Sequence, residues 1–272
     1  MRTPRAKPSA CYPAPMNETP WYVEAFRSDY REVYSHRNLP AAREETEWLA
    51  AEVLAGADGP FLDDCCGFGR HSLALRERGL DVYGIDLSSD LLRSSVDLER
   101  GSELLGGRLA CADMRALPFR DESFGAVLNL FTSFGYLGSE GDRAALKQMV
   151  RVLRPGGVLV MDLMNPARIR AGLQPSSREE RDGMVLESER ALLDGGSRVT
   201  KRVRLTMPSG ELRTWHEDVR MYEPAELDEL LTATGATPLR RAGAFDGRAF
   251  DPDTAERQIV VARRNDPVES SV

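Results

Sequence analysis

One short run of the chain combines acids, small residues and glycines in an order that suits ligand binding. The run is Phe61-Leu62-Asp63-Asp64-Cys65-Cys66-Gly67-Phe68-Gly69-Arg70-His71. An apolar strand ends in acids, and a turn then leads into an amphipathic helix. Because Gly67 and Gly69 have no side chain, the backbone amides of such a turn can approach a ligand closely. A second acid, Asp86, ends the next strand-like stretch. Together these features predict a binding site for a nucleoside-containing cofactor.

The residues around the turn indicate which ligand it takes. A nicotinamide-binding turn carries a third glycine, which lets helix and strand pack closely, and the matching position here is Ser72. Asp63 and Asp64 stand directly before the turn, where a pyrophosphate would be repelled. Acids at this place favour a cationic ligand without phosphates. A tight turn that binds no ligand is the simpler alternative.

Composition limits the partners. The chain has 272 residues, of which 42% are hydrophobic and 29% charged, and this fits one globular domain with a modest extra element. The net charge of −7 disfavours a nucleic acid bound through its phosphates. No apolar run approaches the roughly 20 residues needed to span a bilayer, so we expect no membrane partner. Cys11, Cys65, Cys66 and Cys111 suit neither a disulfide framework nor a metal site, and a cytoplasmic location is expected.

Strand and helix patterns alternate along the first part of the chain. Strands are predicted at 61–65, 82–87, 108–111, 126–131 and 158–163, and helices at 41–54, 71–78, 88–100 and 142–153. An aromatic-rich segment, 21–37, precedes them with aromatic residues at helical spacing. This alternation predicts an α/β fold with a doubly wound, mainly parallel sheet and helices on both faces.

After Asn165 the pattern changes to antiparallel hairpins. Three segments, 184–193, 198–207 and 211–222, are joined by the turn sequences Asp194-Gly195-Gly196 and Pro208-Ser209-Gly210. A helix near 224–234 and strands near 238–245 and 258–262 follow. The expected organisation is a disordered lead-in (1–20), a cofactor-binding core that includes the aromatic helix (21–166), an antiparallel insertion that serves as a substrate lid (167–222), the completion of the core sheet (223–264) and a tail (265–272).

Five motifs in order resemble those of a known family. They are 61–71, Asp86, Cys111-Ala112-Asp113-Met114, the stretch 117–127 with Leu117-Pro118-Phe119, and Arg151-Val152-Leu153-Arg154-Pro155-Gly156-Gly157. In this order and at these separations they resemble the motifs of class I S-adenosylmethionine-dependent methyltransferases. The resemblance covers about 47–165. It implies a seven-stranded sheet whose last strand runs antiparallel, and S-adenosyl-L-methionine as the cofactor.

The resemblance also implies which residues hold the cofactor. Asp63 and the Cys65–Gly69 backbone, with Gly67 at its centre, would face the methionine portion, whose ammonium and sulfonium favour nearby oxygen atoms. Asp86 would accept hydrogen bonds from the two ribose hydroxyls. The remaining implied contacts are Asp113 with the adenine amino group, Met114 and Leu87 with the ring, and Asn129 beside the transferred methyl. A helix cap for Asp86, a local loop contact for Asp113 and simple packing for the cysteines are the structural alternatives.

The methyl acceptor is expected to be a small molecule. Strict alternation over 214–222 puts His216 and Arg220 on one side of a strand, which is either a solvated face or a pocket lining. His216 is the candidate general base, because the histidine pKa lies near neutrality. Tyr136 is a second candidate catalytic residue. Tyr136 and Phe131 could stack on the substrate, and core packing is the equal alternative for both. Tyr22 and Tyr34 are expected to close over the cofactor, although a plain amphipathic helix explains the same spacing.

Two other functions stay open at this stage. The first is methylation of a macromolecule, RNA or protein: a broad basic groove at the carboxyl edge of the sheet would favour RNA, whereas a closed pocket favours a metabolite. A plugged channel beside the methyl would favour a noncatalytic protein that senses the cofactor. No metal site is predicted, and a homodimer is left open.

Overall fold

A seven-stranded sheet lies at the centre of the protein, as described by a computed structural model for residues 19–27, 30–34 and 36–266. The predictions of a disordered lead-in and tail fall almost entirely on residues outside these ranges. The strands, in chain order, are β1 (Phe61–Asp64), β2 (Val82–Asp86), β3 (Leu109–Cys111), β4 (Phe124–Asn129), β5 (Leu153–Met164), β6 (Ser176–Arg181), β7 (Met184–Leu193), β8 (Arg198–Thr206), β9 (Leu212–Arg220), β10 (Ala236–Ala242) and β11 (Arg257–Arg264).

The order of the central sheet is β10-β11-β5-β4-β1-β2-β3. The five strands from β5 to β3 are parallel to one another, and β11 runs antiparallel to β5. This confirms the doubly wound, mainly parallel sheet with an antiparallel last strand. Because parallel strands share one carboxyl edge, the ends of β1, β2 and β4 lie side by side, and ligands bind at that edge in such sheets.

Nine α-helices lie within the described residues. They are α1 (Trp21–Ala25), α2 (Tyr30–Val33), α3 (Leu39–Trp48), α4 (Arg70–Glu77), α5 (Ser89–Arg93), α6 (Gly101–Leu105), α7 (Gly138–Val152), α8 (Pro166–Gly172) and α9 (Pro224–Ala233). A π-helical turn, Leu49–Val53, extends α3. None of these helices has the length and apolar character that crossing a membrane requires.

Two helix predictions were wrong in their extent. The single aromatic helix expected over 21–37 consists of α1 and α2. The helix expected to reach residue 100 ends at Arg93 and continues as a 3₁₀ turn, Ser94–Asp97, before α6. Arg100 has a φ of 62°, a left-handed conformation that interrupts a right-handed helix.

Apolar side chains cover both faces of the sheet. On one face, Leu146 and Met149 of α7 and Leu231 of α9 pack against the strands. On the other, Trp48 of α3 and Leu75 of α4 do so. The side chains of each strand pack alternately against these two layers, since neighbouring residues of a strand point to opposite faces. These two layers hold the carboxyl edge of the sheet in place.

A second sheet of four antiparallel strands, β6-β7-β8-β9, lies between β5 and β10 in the chain. The hairpin strands β7, β8 and β9 match the three predicted segments. The first strand, β6, and the short helix α8 were missed. The sequence of β6 is Ser-Ser-Arg-Glu-Glu-Arg and contains no apolar residue, so it lacks the alternation by which a strand is recognised.

Candidate functional site

A cavity of about 280 Å³ lies at the carboxyl ends of β1, β2 and β4. Asp63 and Asp86 line it from two of these strands. It is covered by a segment that we call the N-terminal roof, the described residues between Trp21 and Arg37. Tyr22, Phe26 and Tyr30 of the roof line the cavity. The cavity therefore lies where the sequence places the cofactor, with walls from both the sheet and the roof.

The turn after β1 has the conformation that its glycines predict. The φ angles of Cys65, Gly67 and Gly69 are 64°, 59° and 81°, all in the left-handed region. Gly67 N–H donates a 2.8 Å hydrogen bond to Asp86 Oδ2 and lines the cavity. Gly69 has a different role: it begins α4, and a Cβ there would meet Leu105 at 3.0 Å. Gly69 does not line the cavity, so its importance is for packing.

Two acids, the half-buried Asp86 and the buried Asp63, face the cavity beside this turn. Asp86 accepts backbone hydrogen bonds from Gly67 and from Ser88, the latter at 2.7 Å, and burial raises its pKa to about 6. Asp63 accepts a 2.6 Å hydrogen bond from the Ser72 hydroxyl, and burial raises its pKa also. Desolvation of both carboxylates favours a ligand that brings hydrogen-bond donors or positive charge.

Asp64 and Asn129 form a separate buried pair. They are register partners on β1 and β4, and Asn129 Nδ2 lies 3.4 Å from Asp64 Oδ2. Burial raises the pKa of Asp64 to about 8, so it is largely protonated at neutral pH. The prediction that Asn129 borders the transferred methyl is corrected here. Its side chain is fully buried against Asp64 and does not line the cavity.

At the β3 end of the cavity, the three residues that the resemblance assigns to adenine come together. Leu87, Asp113 and Met114 all line the cavity. Asp113 also forms an ion pair of 2.6 Å with Arg115. An acid beside two apolar side chains suits a flat ring with an amino group at its edge.

The roof is joined to the second sheet by polar contacts. The Tyr34 hydroxyl donates a hydrogen bond to Glu217 of β9 and accepts one of 2.7 Å from Lys201 of β8. Tyr22 lines the cavity, whereas Tyr34 does not. Tyr34 therefore fixes the roof to the second sheet rather than contacting a ligand in the cavity.

Of the four residues proposed for catalysis and substrate binding, two reach the cavity. Tyr136 and Phe131 line it. His216 and Arg220 do not, and these two expectations are corrected. His216 is exposed, because Glu217 and Val219 of β9 face inward instead. Arg220 is bonded to Glu226 of α9 and to Ser139.

Tyr136 is suited to donate a hydrogen bond and not to accept a proton. Burial raises its pKa well above the ordinary value of 10.0, so the phenol stays neutral at physiological pH. Its ring packs edge-on against Trp21 at 4.9 Å and stacks on Phe26 at 5.9 Å. The roof thus contacts a cavity-lining residue directly through its aromatic side chains.

Sequence reasoning missed a cationic part of the cavity. Arg37, Arg70 and His71 line it. Glu45 of α3 accepts hydrogen bonds from Arg70 at 2.5 Å and from His71 at 2.7 Å. Burial lowers the pKa of His71, which favours the neutral ring. The available signal was the pair Arg70-His71 directly after the glycine turn, but nothing local indicates that Glu45 lies opposite it.

The loop after β4 is held in an unusual conformation beside these arginines. Phe131 and Thr132 have φ angles of 61° and 60°, which are rare for residues with a side chain. Asp162 of β5 holds both: its carboxylate accepts the Phe131 N–H and its carbonyl accepts the Thr132 N–H, each at 2.8 Å. Arg257 of β11 pairs with Asp162 at 2.7 Å and donates to the Thr132 hydroxyl. This frame fixes the Phe131 ring at the cavity wall.

The donor set of the cavity does not suit a metal ion. Among the described residues, no group of three or more histidines, cysteines, aspartates or glutamates is placed to hold one. The cysteines at the turn are free thiols, and burial raises the pKa of Cys65 and Cys66 well above the ordinary thiol value. Both are therefore protonated packing residues.

Comparison with known proteins identifies the central segment. Residues 61–157 match the family model described as a methyltransferase domain. The demethylmenaquinone methyltransferase of Renibacterium salmoninarum is 31% identical over 152 residues, which are 54% of this chain and 61% of that protein. The chain thus spans less than two thirds of that relative's length.

Two solved structures are similar over nearly their whole length. The CcbJ methyltransferase of Streptomyces caelestis has a TM-score of 0.74 at 21% identity, with 90% of this chain and 98% of that chain covered. CalS10 of Micromonospora echinaspora, an amino pentose methyltransferase solved with S-adenosylmethionine, has a TM-score of 0.61 at 25% identity. That alignment covers 87% of this chain and 96% of that chain.

Proposed function

Because the chain belongs to the class I S-adenosylmethionine-dependent methyltransferases, we propose that it transfers a methyl group to nitrogen or oxygen of a small acceptor molecule. Bound S-adenosylmethionine supplies a methyl group on a positively charged sulfur, which the acceptor displaces in line. The residues of this chain hold the two reactants in line and keep water out.

One observation carries the proposal: Asp63, Asp86 and the Gly67 turn meet in one covered cavity. Each oxygen of Asp86 already accepts one backbone N–H, and a carboxylate can accept about four hydrogen bonds. Its remaining capacity matches the two ribose hydroxyls. Asp63 keeps a similar capacity beyond its bond from Ser72, and this suits an ammonium group. The residues present therefore fit the cofactor.

The adenine end supports the same placement. The Asp113 carboxylate lines the cavity and can accept a hydrogen bond from an amino group, while Leu87 and Met114 offer apolar surface to a ring. The ion pair with Arg115 holds the Asp113 carboxylate in position. Adenine would then lie at the β3 side of the cavity and the methionine portion at the β1 side.

A small acceptor is supported by the size and cover of the cavity. Its volume of about 280 Å³ is close to the lower end of the roughly 300–1,000 Å³ found for small-molecule sites. The roof covers it, and the net charge of −7 gives little attraction for a polyanion. CalS10 is an amino pentose methyltransferase, which supports a small acceptor.

We assign no histidine a role in proton transfer. His216 is exposed and His71 is engaged with Glu45. An amine that arrives uncharged attacks without a general base, so alignment and exclusion of water are sufficient. We propose that Tyr136 contributes a hydrogen bond and a ring surface to the acceptor. The second sheet serves as a lid, because Tyr34 connects it to the roof.

The test combines binding and transfer. Calorimetry should give a 1:1 complex with S-adenosylhomocysteine, and incubation with S-adenosylmethionine and a panel of small amines and alcohols should add a methyl group, detected by mass. The Asp86→Ala variant is the control and should weaken both signals. Absence of S-adenosylhomocysteine binding would overturn the cofactor assignment. Methyl uptake by RNA or protein, with none by small molecules, would overturn the acceptor class.

A further inference from the structure

Three guanidinium groups surround the ring of Phe131, and they differ in their partners. The carbon centres of Arg37, Arg70 and Arg257 lie 4.1, 4.8 and 5.4 Å from the ring centroid. Arg70 is paired with Glu45 at 2.5 Å, and Arg257 is paired with Asp162 at 2.7 Å. Within the described part of the chain, no carboxylate lies within ion-pair distance of Arg37.

The contacts of Arg37 leave one edge of its guanidinium unused. Nη1 donates a hydrogen bond to the Tyr30 hydroxyl, and the aromatic faces of Phe131 and Tyr34 flank the group at 4.1 and 4.4 Å. The Nε atom is buried and has no hydrogen-bond partner among the residues described. The Nε and Nη2 edge of arginine is the one that binds a carboxylate or phosphate through two parallel hydrogen bonds.

The Arg37 guanidinium lacks an acceptor for its Nε–H, and an anion would supply one. Aromatic faces attract a cation but are only weak acceptors for a buried N–H, and a buried donor without a full hydrogen bond is destabilising. Arg37 also lines the cavity, so a ligand can reach it. The geometry supplies the space, the charge and the free donor, and it lacks only the acceptor of the hydrogen bond.

We propose that Arg37 binds an anionic group, a carboxylate or a phosphate, on the methyl acceptor. This inference rests on the proposed function and narrows its substrate class to small acids that carry a nucleophilic nitrogen or oxygen. The alternative source of the anion is the carboxylate of the cofactor itself. Arg70 is better placed for that group, because it directly follows the glycine turn and its own Nη2 is buried without a partner.

The two sources are separated by crystals grown with S-adenosylhomocysteine and soaked in sodium bromide. We expect the carboxylate of S-adenosylhomocysteine at Arg70 and an anomalous bromide peak within hydrogen-bonding distance of Arg37. Arg37→Gln crystals should lose that peak. The carboxylate of S-adenosylhomocysteine bound at Arg37, or a cavity without bromide there, would overturn the inference. Crystals with no S-adenosylhomocysteine in the cavity would instead overturn the proposed function.

Calorimetry provides the second readout. Binding of S-adenosylhomocysteine and of 5′-methylthioadenosine, which lacks the amino-acid portion, is compared in Arg37→Gln and in Arg70→Lys. We expect Arg37→Gln to change both affinities by less than threefold. Arg70→Lys should weaken S-adenosylhomocysteine alone, by about tenfold. If Arg37→Gln weakens S-adenosylhomocysteine tenfold and leaves methylthioadenosine unchanged, the anion belongs to the cofactor and the inference is wrong. Thermal unfolding of each variant checks that it is folded.

Discussion

The acidic end of the cavity, formed by Asp63, Asp86 and Asp113, differs in construction from the cationic end, formed by Arg37, Arg70 and Phe131. Each acid lies at or just beyond the carboxyl end of one parallel strand, β1, β2 or β3, and backbone hydrogen bonds fix Asp86 directly. The cationic residues come from the roof, from α4 and from the loop after β4. Local backbone geometry thus places the acids, whereas long-range side-chain contacts place the cations.

The comparison predicts that the cationic end depends on one buried carboxylate. Asp162→Ala removes the partner of Arg257 and the acceptor of the Phe131 N–H. We expect the free energy of unfolding to fall by about 3–5 kcal/mol, because breaking a buried pair leaves an uncompensated charge. Urea denaturation measures it. Asp218→Ala, which breaks a more exposed pair with Arg198, is the control and should cost less than about 1 kcal/mol. Equal losses in the two variants would contradict the assignment.

The acidic end is tested by ligand affinity. Asp86→Ala removes the carboxylate proposed for the ribose hydroxyls, and calorimetric affinity for S-adenosylhomocysteine should weaken by roughly 1.5–3 kcal/mol, the worth of charged hydrogen bonds. Asp81 directly precedes β2, at the opposite end of the same strand, and pairs with Arg76 and Arg108. Asp81→Ala should leave the affinity unchanged. An unchanged affinity in a folded Asp86→Ala variant would remove the ribose assignment.

This difference explains what could be predicted from the sequence. The strands of the central sheet, the turn and the acids at the ends of β1, β2 and β3 follow from patterns only a few residues long, and the structure brings these acids to one edge of the sheet. The loop that contains Phe131 and Thr132 depends on Asp162, which is 31 residues from Phe131, and on Arg257, which is 125 residues from Thr132. No short pattern connects them. Arg37 lies at the cavity wall only because the roof folds over the cavity.

Two expectations failed for related reasons. Alternation along β9 placed His216 and Arg220 on one side correctly, but it could not indicate which side faces inward. Glu217, on the other side, is the residue that Tyr34 contacts. Asn129 was placed at the right strand end, but its contact with Asp64 joins residues 65 positions apart, and no local pattern indicates it.

Asp64 follows Asp63 in the chain but is paired with Asn129 outside the cavity, and its protonation can be tested separately. Burial raises the pKa of Asp64 from 3.8 to about 8, so the folded state binds a proton that the unfolded state releases. Stability therefore rises as the pH falls from 8 to 7, by up to ~1.4 kcal/mol per pH unit. Asp64→Asn should flatten this dependence while keeping the contact with Asn129. Denaturation at the two pH values measures it, and equal slopes in wild type and variant would show that Asp64 is not the titrating group.

The smallest expected effect concerns the connection between the roof and the second sheet. Tyr34→Phe removes the hydroxyl that donates to Glu217 and accepts from Lys201. We expect a loss of about 0.5–1.5 kcal/mol in the free energy of unfolding, the usual net contribution of a hydrogen bond. Tyr83→Phe in β2 is the matched control, since the Tyr83 ring packs against Arg108 and its hydroxyl makes no hydrogen bond within the described residues. If Glu217→Gln adds its full effect to Tyr34→Phe, the two residues are not coupled, and the second sheet does not hold the roof through this contact.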